Sequence, residues 1–254
     1  MTRRYGGGER SLTEIMTAGI PANQDDYEGH NPVFEATGRK VGARSAHPLG
    51  RRVLIVGVLA IQGDYEAHRA VLERLGAEVK LVRKPEELDA VDALIIPGGE
   101  SSTFLKFLEQ RGFFQRLAEF VKAKPTFGTC AGAILLAKEV VGPEQRSLGV
   151  LDIRVRRNAY GRQMESSIRQ GELTAAGSKH PSTQDGNQSL EMVFIRAPKI
   201  ERIGKGVEVL ASQSGDPVLV RQGKIMAATF HPELTADTRV HEAFLKMVGS
   251  ESVR

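Results

Sequence analysis

Two patterns of apolar positions divide this chain. From residue 53 onward, short unbroken apolar runs alternate with segments in which apolar residues recur every three to four positions. The run VLIVGVLAI (53–61) has no polar side chain, as a strand buried on both faces requires. Tyr65, His68, Val71, Leu72 and Leu75 then mark one face of a helix over 64–75, with Gly76 as its stop. The same reading predicts strands over 78–82 and 93–96 and a helix capped by Ser101 or Ser102 that runs to Gln110. A second helix follows over 113–122, then a strand running up to Cys130 and a helix from Ala131 to Lys138. The second half predicts strands over 151–155, 191–195, 207–211, 217–221 and 225–229, with a hairpin at 221–224 and a last helix over 236–248. The polar stretch 171–189, with Gly177, Pro181 and Gly186, predicts a loop. Strand–helix alternation of this kind implies an α/β fold in three layers. Its sheet is mostly parallel, covered on both faces, with an antiparallel extension.

Residues 1–50 follow neither pattern. Gly6-Gly7-Gly8, scattered prolines and isolated apolar residues cannot bury enough surface to offset the entropy of ordering, so a disordered N-terminal extension is expected there, ahead of one globular domain over 51–254. The extension lacks the apolar core of a signal peptide, and Glu9, Glu14, Asp25, Asp26 and Glu28 argue against an organelle transit peptide. A partner-binding tail and a start codon assigned too far upstream both remain open.

Composition removes several classes of function. No apolar run approaches the ~20 residues of a membrane helix. The net charge is only +4, with basic residues at most in pairs such as Arg51-Arg52, so neither a membrane nor a nucleic-acid partner is expected. A single cysteine rules out an internal disulfide and fits a reducing, cytoplasmic setting.

That cysteine carries the chemistry. Cys130 stands between a predicted strand and a predicted helix, flanked by Gly128 and Gly132, the layout of a nucleophile elbow. A buried cysteine acting as a small hydrophobe would leave both glycines without a purpose. A thiol nucleophile needs a base, and the base an orienting group. Of the six histidines, His30 and His47 lie in the extension, His180 in the polar loop, and His68 and His241 inside predicted helices. His231 ends an apolar strand, as Cys130 does, and parallel α/β sheets bind ligands at strand ends. Glu233, two residues on, can fix the imidazole tautomer. The turn Pro97-Gly98-Gly99-Glu100-Ser101 before a helix offers backbone N–H groups to an oxyanion, although a plain capped turn explains it equally well.

Gly128-Thr129-Cys130-Ala131-Gly132 with a downstream His231-Pro232-Glu233 resembles the class I, triad-type glutamine amidotransferases. The strings GVLAIQG (57–63), PGGESST (97–103), RNAYGRQ (157–163), VFIRAP (193–198) and FHPELT (230–235) narrow the resemblance to glutaminase subunits of pyridoxal 5′-phosphate synthases. The resemblance implies that Cys130 attacks the side-chain amide of L-glutamine, that His231 shuttles protons and that Glu233 holds it. It implies an oxyanion hole from the N–H groups of Gly99 and Ala131. Glutamine would be held by Gly99, Glu100, Ser101, Arg157, Ile195 and Arg196, an arginine fork suiting its α-carboxylate. Ammonia would pass to a separate synthase (lyase) subunit that makes pyridoxal 5′-phosphate, with Gln62 near the interface and activation on docking. No metal or bound cofactor is expected. Three alternatives are a triad glutaminase serving another amination pathway such as histidine formation, a non-catalytic interaction subunit on the same fold, and a cysteine hydrolase acting on peptides. The extension at 1–50 and the length of the loop at 171–189 depart from the family pattern.

Overall fold

The computed structural model describes residues 54–157, 159, 166–177 and 188–251. The expected N-terminal extension lies outside them, as do most of the 157–163 string and the middle of the 171–189 stretch.

β1 (Ile55–Leu59), α1 (Tyr65–Arg74), β2 (Glu78–Val82), β3 (Ala93–Ile96), α2 (Ser101–Gln110), α3 (Phe113–Ala123) and β4 (Thr126–Thr129) follow one another, and α4 (Ala131–Leu136) starts one residue beyond β4. Then come β5 (Ala137–Val141), β6 (Leu151–Arg156), β7 (Ser166–Leu173), β8 (Ser189–Ile195), β9 (Lys199–Ile203), β10 (Glu208–Gln213), β11 (Asp216–Gln222), β12 (Ile225–Ala228) and α5 (Arg239–Glu251).

The described strands form a nine-stranded sheet in the order β2-β1-β3-β4-β12-β11-β10-β7-β8. β2, β1, β3, β4 and β12 run parallel, and β11, β10, β7 and β8 continue antiparallel. Alternate residues of the parallel strands feed two cores. Leu59, Leu94 and Ile96 face α2, α3 and α4, whereas Val58, Ile95 and Phe127 face α1 and α5. The three-layer expectation is thereby met. A separate three-stranded sheet, β5-β6-β9, packs onto the first core through Ile153, Val155 and Ile200.

Several sequence expectations need correction. α4 ends at Leu136 rather than Lys138, because Ala137 turns extended and opens β5. Residues 171–173, expected in a loop, are the end of β7, where Gly171 pairs with Leu190 and its bare Cα admits the Met192 side chain. The last helix starts at Arg239, because Asp237 holds the Arg239 N–H and guanidinium instead of continuing the turn. The 221–224 hairpin is present: Gln222 pairs with Ile225, and Gly223 supplies the positive φ of 57° that a two-residue turn needs.

Candidate active site

β4 and β12 are parallel neighbours in register, Ala228 beside Thr129, so the residues just beyond them emerge at the same edge. Cys130 is the first residue past β4. Its N–H donates to Ala228 O (2.9 Å), and its backbone takes φ 47°, ψ −102°, outside the usual basins for a side chain with a Cβ. Such strain costs roughly 1–3 kcal/mol and is held only by surroundings that leave no alternative. Here the surroundings are the glycines. A Cβ on Gly128 would lie 2.6 Å from the Gly132 carbonyl carbon, and one on Gly132 would strike the Ile96 carbonyl oxygen. The elbow is locked between β3 and the first turn of α4.

His231 follows β12 by three residues and is buried. Its N–H donates to Val193 O (2.8 Å), which ties it to β8, the far-edge strand of the sheet. The Ile195 carbonyl of the same strand lies 4.0 Å from Cys130 Sγ. His231 Nδ1 donates to Glu233 Oε1 at 2.8 Å. Burial opposes a charge on His231, but Glu233 and the Cys130 thiol outweigh it and raise its pKa well above the ordinary imidazole value. Burial likewise opposes the Glu233 carboxylate, but His68 and His231 outweigh that and hold its pKa at about 2. The three residues thus form a buried thiol–imidazole–carboxylate line.

The turn after β3 closes one side. A Cβ on Gly98 would fall on the His231 ring and 3.2 Å from Cys130 Cβ, so only glycine fits against the elbow. Gly99 has φ 140°, and a Cβ there would sit 2.7 Å from Gln62 Nε2. Ala131 opens α4, so its N–H is one of the donors a helix start leaves without an intrahelical acceptor. The cap of α2 differs from expectation. Glu100, not a serine, accepts from Ser102 N (3.0 Å) and Thr103 N (2.6 Å), because Gly99 delivers the chain in an extended conformation at residue 100. Hydrogen bonding at Thr103 and Ser102 lowers the pKa of Glu100 to about 2.

Arg157 arrives from the end of β6. Its Nη2 donates to Ser102 Oγ at 2.7 Å and lies 3.9 Å from Glu100 Oε1, with the side chain only 10% exposed. Ser101 is buried beside it. Arg196 has a positive φ of 43° and an exposed side chain. The sequence candidates thus fall into two groups: Cys130, His231 and Glu233 in the core, and Glu100, Ser101 and Arg157 at the α2 start.

Sequence reasoning passed over three neighbours. Asp64 Oδ2 lies 3.6 Å from His231 Nδ1, placed by the Gly63 turn. His68, on α1, reaches Glu233 Oε2 at 3.3 Å, and His241, on α5, bonds His68. Their helical spacing was the available signal, but spacing shows which face is buried, not what it meets.

Among known proteins, the model of the SNO glutamine amidotransferase family matches residues 58–250. The chain is 63% identical over 172 residues to pyridoxal 5′-phosphate synthase subunit PdxT of Koribacter versatilis, covering 68% of this chain and 84% of that one. It is 51% identical over 172 residues to the subunit of the same name from Thermosipho africanus, covering 67% of this chain and 86% of the relative. A crystal structure of a glutamine amidotransferase superposes with a TM-score of 0.68 at 51% identity, over 76% of this chain and 98% of that one. With its strained cysteine, its buried histidine–carboxylate pair and a family match over residues 58–250, the chain belongs to the SNO glutamine amidotransferase family.

Proposed function

We propose that this chain is the glutaminase subunit of a pyridoxal 5′-phosphate synthase, hydrolysing L-glutamine to L-glutamate and ammonia for vitamin B6 biosynthesis. The observation that carries it is a buried Cys130–His231–Glu233 line beside a half-buried Arg157–Ser102–Glu100 group, in a chain 63% identical over 172 residues to a protein named pyridoxal 5′-phosphate synthase subunit PdxT. His231 takes the thiol proton while Glu233 accepts its Nδ1–H, and Sγ adds to the amide carbon of glutamine. The oxyanion is received by the N–H groups of Ala131 and Gly99. His231 then returns the proton to the amide nitrogen. The C–N bond breaks, and ammonia leaves a γ-glutamyl thioester on Cys130. Water, deprotonated by His231, cleaves the thioester to glutamate and restores the thiol.

Arg157 and Arg196 suit the α-carboxylate of glutamine, and Gly99, Glu100, Ser101 and Ile195 surround the rest of the amino acid. Ammonia must stay uncharged to react, which requires a docked synthase subunit that receives it out of water. The Gln62 carboxamide lies over Gly99, its Nε2 3.5 Å from Glu100 O, where a docking partner reaches the oxyanion turn. Among the described residues no helix is long and apolar enough to cross a membrane, and a free thiol suits the cytoplasm.

The test is glutamate release by the protein purified with its cognate synthase subunit. Cys130→Ala is expected to abolish release while leaving docking intact; full activity in that variant overturns the reading.

A further inference from the structure

Beneath the active site lies a buried polar chain that the reaction as written does not use. Glu233 has two carboxylate oxygens in the core. Oε1 accepts from His231, whereas Oε2, fully buried, has no aligned hydrogen bond among the described residues. A buried, ionised oxygen without a donor is costly, so whatever faces it matters. What faces it is His68: Nε2 sits 3.3 Å from Glu233 Oε2 and 3.1 Å from Thr129 Oγ1, the residue directly before Cys130. On the other side His68 Nδ1 lies 3.0 Å from His241 Nε2, and His241 Nδ1 has no partner among the described residues.

This pattern assigns the tautomers. If His68 carried its proton on Nδ1, His241 would have to keep its own on Nδ1, an N–H buried without an acceptor, and His68 would turn a lone pair toward a carboxylate. Placing the His241 proton on Nε2 removes both faults. His241 then donates to His68 Nδ1, and His68 points an Nε2–H at Thr129 and Glu233. Phe127 packs edge-on to both rings, at 6.5 Å and 6.2 Å between centroids, and leaves them little freedom. Burial lowers the pKa of His68 and takes that of His241 to about 3, so both stay neutral. The other charged groups acting on this chain are Asp64, on His231 and His68, and Arg74, on His241.

We propose that His68 is a positioning residue for the site: its Nε2–H holds the outer oxygen of Glu233, and His241 behind it fixes the tautomer that makes this donation possible. The line of polar groups thus extends from Cys130 through His231, Glu233 and His68 to His241, linking the elbow to α1 and α5. Since both histidines are neutral, they support Glu233 with an oriented dipole and leave the charge of the site unchanged. The role rests on the glutaminase reading for its consequence in turnover, but not for its effect on the thiol.

The experiment measures alkylation of Cys130 by iodoacetamide across pH in the full chain, beside glutaminase assays with the synthase subunit. His68→Leu keeps bulk and removes the N–H, while His68→Gln can restore a donor at the same reach. In His68→Leu, Glu233 Oε2 loses its donor, the carboxylate charge concentrates on Oε1 against His231, the imidazolium–thiolate pair is favoured, and the midpoint of the alkylation profile is expected to fall by about half a pH unit or more. His68→Gln is expected to return it most of the way, with about tenfold lower kcat in the leucine variant at little changed KM. A His68→Leu midpoint unmoved or raised, or equal shifts in the leucine and glutamine variants, overturns the proposal. Wild-type protein that alkylates as described yet releases no glutamate would instead contradict the glutaminase reading.

Discussion

The two halves of the site are built from opposite materials. The Cys130–His231–Glu233 line is sunk in the sheet, its members buried and its cysteine strained, with no room for a Cβ at Gly98 or Gly132. The group at the α2 start is half in solvent: the Glu100 side chain is 46% exposed, and its carboxylate is occupied in capping the helix. In the core, a low dielectric makes each hydrogen bond strong and each unpaired group expensive, so geometry is fixed before substrate arrives. At the α2 start water competes, which suits groups that must exchange one partner for a substrate. Chemistry is prebuilt, and recognition is kept adaptable.

That contrast can be broken at either half. Cys130→Ala removes the proposed nucleophile and is expected to lower glutamate release by about a thousandfold or more, read in the complex with synthase. Glu233→Gln keeps the shape but loses the charge that stabilises the imidazolium, and a kcat loss of a hundredfold to about a thousandfold is expected with KM for glutamine little changed. Arg157→Ala acts on the other half. It is expected to raise KM about tenfold or more while kcat falls less, since a charge-assisted bond of roughly 1.5–3 kcal/mol is lost in binding.

The smallest effect concerns the cap. Glu100→Ala is expected to cost about 1 kcal/mol, a fall in Tm of roughly 2–4 °C at pH 7. The folded pKa of Glu100 is lowered to about 2 from an ordinary value near 4.5. Its contribution is therefore full above the ordinary value and is lost as pH falls toward 2, so the melting curves of the variant and the wild type should converge in acid. Deleting residues 1–50 should change neither half; melting and glutaminase assays of the shortened chain check this.

The core half was the more legible in the sequence, for a physical reason. Cys130 and His231 terminate apolar runs, and strand ends of a parallel sheet converge on one edge, so one-dimensional pattern carries three-dimensional proximity. Glu233 followed by adjacency. The α2 start was legible only as a capped turn, and the cap went to the wrong residue, because Glu100 looks like a surface charge until Gly99 sets its backbone. β5, β7 and β9 escaped notice: β5 continues without a break from α4, β7 carries mostly polar residues, and the exposed edge of β9 alternates too weakly to announce itself. His68 and His241 were visible as helical positions but not as partners, since α1 and α5 lie 173 residues apart at that contact.

The central claim is covalent. Radiolabelled glutamine, added to the complex and quenched in acid during turnover, should leave a γ-glutamyl label on the peptide that contains Cys130, absent in Cys130→Ala. Glutamate release in the wild type with no label on that peptide, or with the label elsewhere, would contradict the account.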